Sequence, residues 1–225
     1  MIDRNRVDLM ARVDSDATED ATPTGEPRVH FSLRVRRGLA MDGQTVLAPM
    51  FVRCRLAGLS ARAQRPRLLR GTWVIVSGSL LVYQSTAMRD AQRRPSTLVE
   101  VQELFFAPEP PINAEDPGAA DLNTVGLTGR LGADAEVHLL PSSTPSARFS
   151  LAVRRTFVRT QPAPAKEEPM WVRCQWTDAL AGGQQEQLTK GRWVSTQGRL
   201  HIFQTAAMRA NNEPPDMVVA IDKIF

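Results

Sequence analysis

The chain has 225 residues, 42% hydrophobic and 23% charged, a globular composition that argues against wholesale disorder and leaves room for two cores of roughly 100 residues each. No apolar run approaches the ~20 residues a membrane-spanning helix needs, and the charged start Met1-Ile-Asp-Arg-Asn-Arg6 is not a signal peptide, so a cytoplasmic protein with no membrane contact is expected. Net charge is only +4 but uneven: residues 1–27 carry seven acids against three arginines, residues 28–106 thirteen arginines against four acids, and such an excess points to a phosphate-rich partner.

In chain order, Val7, Leu9, Ala11 and Val13 alternate with polar residues and predict a first strand. Phe31, Leu33 and Val35 alternate with Ser32, Arg34 and Arg36 in a second. Val52, Cys54 and Leu56 alternate with Phe51, Arg53 and Arg55 in a third. A short helix is predicted near 58–69, then a long strand with Val74, Val76, Leu80 and Val82 on one parity. Leu98 to Phe106 closes the set.

The same order then returns. Phe31-Ser-Leu-Arg-Val-Arg-Arg37 recurs as Phe149-Ser-Leu-Ala-Val-Arg-Arg155, and Phe51-Val-Arg-Cys-Arg-Leu56 as Trp171-Val-Arg-Cys-Gln-Trp176. Gly71 to Leu80 recurs as Gly191 to Leu200, and Gln84 to Arg89 as Gln204 to Arg209. The offset is 118 residues for the first block and 120 for the others, which marks a duplicated domain. A second helix is predicted near 178–189. Residues 107–122, rich in proline and acidic residues, read as a semi-rigid linker between an N-terminal domain at 1–106 and a C-terminal domain at 123–225.

Three strands, a short helix and two strands in about 105 residues is the element order of an OB-fold, a five-stranded Greek-key barrel. The fold expectation is therefore all-β, with two tandem OB-folds. Gly78 and Gly198 fall mid-strand, where a glycine lets one strand bend around a small barrel. The links at 38–48, 84–95, 156–168 and 204–215 are expected to be loops that grip a ligand.

Catalysis finds no support. His30, His138 and His201 are isolated, no Cys-x-x-Cys or Gly-x-Ser-x-Gly pattern occurs, and neither metal nor cofactor is implied. Cys54 and Cys174 occupy equivalent positions and read as small buried apolar residues.

The stronger signal lies on the outward parity. If Val52 and Cys54 point inward, Phe51, Arg53 and Arg55 point out, and so do Trp171 and Arg173. Arg34, Arg36 and Arg154 share that exposure. Rings beside guanidiniums suit an unpaired nucleic-acid strand, whose bases stack on Phe or Trp while arginines follow the phosphates. Nothing in this set reads a base edge, so low sequence specificity is expected. Trp73 and Trp193 also fall on an outward parity, where a protein–protein contact is the favoured role. Tyr83 and Phe203 at the hairpin bases, with Arg89, Arg93, Arg94 and Arg209, complete the candidates.

Asn123-Thr-Val-Gly-Leu-Thr-Gly-Arg-Leu-Gly132, Ala147-Arg-Phe-Ser-Leu-Ala-Val153, Trp171-Val-Arg-Cys174 and Leu188 through Leu200 together resemble the bacterial single-stranded DNA-binding protein family, over most of 123–225 and more faintly over 5–106. The resemblance implies OB-folds that wrap single-stranded DNA in replication, repair or recombination. It also implies four OB-folds per assembly, here a homodimer. Trp171 matches a family stacking tryptophan with Phe51 as its counterpart, and Phe157 falls where another stacking aromatic occurs. Thr177 and Ala57 stand where the family has a stacking Phe, and the hairpin tryptophan is replaced near Thr205 and Ser85. The family's acidic C-terminal tail has no counterpart in Ile221-Asp-Lys-Ile-Phe225, so partner recruitment by that route is not expected. The alternative reading is an OB-fold protein-interaction module of a replication, recombination or conjugation complex.

Overall fold

The computed structural model describes residues 4–22, 24–41, 44–84, 88, 90–91, 95–107, 121–155, 169–183 and 185–225. They divide into two compact units: Val7–Leu80 with Thr97–Asn123, and Met1–Arg6 with Leu81–Ser96 and Thr124–Phe225.

The first barrel is built from β1 (Asn5–Ala21), β2 (Pro27–Met41), β3 (Gln44–Ala57), β4 (Trp73–Tyr83) and β5 (Ser96–Phe106). β1 runs antiparallel to both β2 and β4, β3 pairs antiparallel with β2 and parallel with β5, and β5 adjoins β4. The ring of neighbours closes, as a five-stranded barrel requires. The alternation read from the sequence sets its interior: Val7, Leu9, Ala11, Leu33, Val35, Val52, Val74 and Val76 are all buried. Each of the valine and leucine side chains contributes about 1.5–3 kcal/mol relative to exposure. Between β3 and β4, α1 (Leu59–Gln64) and a 3-10 turn (Arg65–Arg67) lead to Leu68, and Ala61 and Leu68 are fully buried.

The second barrel repeats this plan in β6 (Asn123–Leu131), β8 (Pro145–Val153), β9 (Met170–Thr177), β10 (Trp193–Phe203) and β11 (Asp216–Ile224). β6 pairs with β8 and β10, β8 with β9, β9 parallel with β11, and β11 with β10, closing the ring. Val125, Leu127, Leu151, Val172 and Val219 fill it. Cys54 and Cys174 lie inside the barrels as free thiols, and burial pushes both thiol pKa values up, away from the reactive thiolate.

Gly78 and Gly198 have a steric reason. A Cβ on Gly78 would overlap the Glu100 carbonyl, and one on Gly198 the Ala220 carbonyl, because β4 and β10 press against the neighbouring backbone there. In β10 the pairing register with β11 also slips between Gln197 and Gly198.

Three expectations need correction. Of the expected loop 38–48, residues 38–41 and 44–48 are strand: β2 and β3 stay in register out to Met41 opposite Gln44, since Thr45-Val46-Leu47 continues the strand-forming sequence. The second helix is instead two 3-10 turns, Ala179–Gly182 and Gln185–Gln187, because Gly182-Gly183 interrupts it. The second barrel also gains a short strand, β7 (Glu136–Leu139), paired with β8. In the link 204–215, α2 (Ala206–Ala210) forms under a cap in which Thr205 Oγ1 accepts the Met208 N–H at 3.1 Å.

Candidate nucleic-acid interface

The outward faces of β8 and β9 form the floor of the site. Cross-strand register sets Trp171 beside Ala152, Arg173 beside Ser150 and Gln175 beside Arg148. Val172 and Cys174 point inward and are buried, so Trp171 must stand outside, and it is 54% exposed. A groove of about 580 Å³ lies over this face, lined by Trp171, Arg173, Gln175, Arg148 and Ser150, with Phe203 of β10 and Gly132 to Glu136 as its walls. The Trp171 ring rests against Gly132, where a Cβ would overlap it.

The equivalent face of the first barrel has a different composition. Arg34 stands beside Phe51, Ser32 beside Arg53 and His30 beside Arg55. Phe51 is 49% exposed, so both predicted platforms stand in solvent. Arg34 and Arg53 are exposed and have no partner among the described residues.

Not every predicted arginine is equally available. The Arg55 guanidinium binds the Glu100 carboxylate through Nε and Nη2, with both side chains largely buried. Arg36 Nη2 lies 2.8 Å from Asp121 Oδ1, and the Arg36 backbone N–H donates to Asp121 Oδ2 at 2.7 Å. Asp121 is nearly sealed from solvent by this double hold. Arg173 pairs with Asp216 and donates to the Met217 carbonyl at 3.2 Å, yet its side chain remains 57% exposed. Arg209 on α2 is exposed and donates to the Gln204 carbonyl at 3.2 Å. Arg154 is exposed at the end of β8. Tyr83 and Phe203 are half-buried at the ends of β4 and β10. Arg89, Arg93, Arg94 and Phe157 lie outside the described residues.

Trp73 and Trp193 occupy equivalent positions under an arginine. Arg12 lies 5.0 Å from the Trp73 ring centroid and Arg130 lies 5.3 Å from that of Trp193. Trp73 is 8% exposed and Trp193 38%, so the first does not present the open face its parity suggested. Outward parity sets direction only, and an outward ring can still be covered.

The groove residues missed in the sequence include Arg148, Gly132 and Glu136. Arg148 shares the outward parity of Ser150 and could have been found by alternation alone. Gly132 could have been found only by asking what supports Trp171. Glu136 sits on β7, a strand the repeat does not announce. Among the described residues no three His, Cys, Asp or Glu side chains form a metal cluster. Among the same residues no helix is long and apolar enough to cross a membrane.

The family model described as the Single-strand binding protein family matches residues 4–107 and, a second time, 122–223. The chain belongs to the single-strand binding protein family. Within the family it is 37% identical over 79 residues to Single-stranded DNA-binding protein 1 of Staphylococcus aureus strain COL. Single-stranded DNA-binding protein 2 of Staphylococcus aureus strain MSSA476 matches equally. The matched stretch is 35% of this chain and 46% of each relative, so the chain spans about half the length of the curated relatives it matches. Wild-type single-stranded DNA binding protein from Thermus aquaticus superimposes with a TM-score of 0.75 at 21% identity, covering 100% of this chain and 93% of that one. A deletion mutant of the same protein gives 0.76, also at 21% identity, with 99% and 94% covered. At that identity the two structures establish the fold, a tandem pair of OB barrels.

Proposed function

We propose that the chain binds single-stranded DNA with low sequence specificity and protects or organises it in replication, repair or recombination. Its two OB-folds, at 1–106 and 123–225, are joined by the linker 107–122, and a homodimer presents four of them. The observation that carries this reading is the groove of about 580 Å³ in which Trp171, Arg173 and Phe203 meet on one solvent-facing surface. Bases stack on the rings, each worth about 1–3 kcal/mol, and the guanidiniums follow the phosphates. Phe51 with Arg34 and Arg53 offers the same chemistry on the first barrel. Family membership supports the reading, and it assigns no enzymatic step to the chain.

Titrating the intrinsic tryptophan fluorescence with oligo-dT tests it. Quenching is expected, and it should weaken steeply as salt rises, because phosphate contacts release counterions. No quenching and no co-elution with oligo-dT in gel filtration would overturn the proposal in favour of a protein-interaction module. The same gel-filtration run measures the dimer.

A further inference from the structure

We propose that Glu136, beside Arg148 in the groove of the second barrel, reads the base edge and makes this barrel favour amino-bearing bases over thymine and uracil; the inference rests on DNA lying in that groove as proposed above. Glu136 opens β7 directly opposite Arg148 of β8, which in turn lies opposite Gln175 of β9. All three line the groove that Trp171 enters. Glu136 and Arg148 are exposed, and neither has a hydrogen-bond or ion-pair partner among the described residues.

A carboxylate is an odd lining for a surface that collects phosphates, since the two repel. It is favourable only where a donor meets it. Glu136 and Arg148 lie four residues along β8 from Ala152, the neighbour of Trp171, so the nucleotide next to the one stacked on Trp171 supplies that donor if it carries an exocyclic amine. Cytosine and adenine each place an amino donor beside a ring-nitrogen acceptor, which matches a carboxylate beside a guanidinium. Thymine and uracil present a single N–H between two carbonyl oxygens, so one carbonyl would face the carboxylate.

The duplication supplies an internal control. Asp134, also in the groove wall, accepts the Lys190 backbone N–H at 2.7 Å, and its counterpart Asp16 accepts the Arg70 N–H at 2.8 Å. An aspartate therefore holds the same turn in both barrels, Asp16 in the first and Asp134 in the second. Glu136 is not repeated: Thr18 stands opposite His30 where Glu136 stands opposite Arg148. The first barrel's carboxylate at this place, Asp20, is already bound by Arg28 and His30, whereas Glu136 is left to meet a ligand.

The test compares oligo-dC with oligo-dU of equal length, pyrimidines that differ in the amino group rather than in a methyl. The full-length wild type should bind oligo-dC about five-fold more tightly. Glu136→Thr, which installs the first barrel's residue, should abolish that preference while raising affinity for oligo-dU. Glu136→Gln keeps a carbonyl acceptor and should retain part of the preference. Equal binding of oligo-dC and oligo-dU by the wild type, or a preference that survives Glu136→Thr, overturns the inference and leaves DNA binding intact. Failure of every oligonucleotide to bind overturns the proposed function and this inference with it.

Discussion

The two barrels share an interior and differ outside. Val52 and Cys54 match Val172 and Cys174 in identity and burial, and Gly78 and Gly198 both press against a neighbouring carbonyl. On the outer face, Arg34 stands beside Phe51 where Ala152 stands beside Trp171. Asp14 follows β1's inward Val13 where Gly132, the rest for Trp171, follows Leu131. An inward substitution in a close-packed barrel is felt at once, while an outward one changes only what the surface can hold. Duplication has thus kept one scaffold and let its two faces diverge, toward guanidinium in one and a ring over a groove in the other.

The largest test of that comparison asks whether the scaffolds are equivalent. Gly78→Ala and Gly198→Ala should each destabilise their own barrel by about 3 kcal/mol, because the colliding atom is a backbone carbonyl that cannot swing away. Urea unfolding followed by circular dichroism reads this. Loss in one barrel alone would show that the two bends are not equivalent.

Next in size is the ring. Trp171→Ala should weaken oligo-dT binding by about 1–3 kcal/mol, with Phe51→Ala toward the lower end, measured by fluorescence anisotropy of labelled DNA. Equal losses would mean the platforms have not diverged.

The smallest effect concerns charge. Arg34→Ala or Arg53→Ala should each flatten the slope of log K against log salt by about 0.7, the single-strand value per phosphate contact. Arg36→Ala and Arg55→Ala should change it less, since Asp121 and Glu100 already neutralise those guanidiniums. A full-sized change for Arg55→Ala would show that DNA displaces Glu100.

Much of the scaffold was legible in order along the chain. Alternation named the buried side of β1, β2 and β3 residue by residue, and the repeat then carried it to the second barrel. β7 was not legible, because Glu136-Val137-His138-Leu139 is too short for a period of two to stand out and its first-barrel counterpart belongs to the continuous β1. The exposure of Phe51 and Trp171 was legible from parity, but the covering of Trp73 was not. Parity reports direction and is silent on what packs above.

What the sequence determined by itself is the duplication, which follows from blocks recurring at a fixed offset, and the barrel interiors and the side of β3 and β9 on which the rings stand, which follow from alternation along one strand. What only the tertiary structure decided is which arginines are free and which residues share a groove. Arg55 meets Glu100 from 45 residues away and Arg36 meets Asp121 from 85, pairings that depend on barrel closure and strand register. Ion pairs and grooves form between strands, and no pattern within a single strand specifies its neighbour.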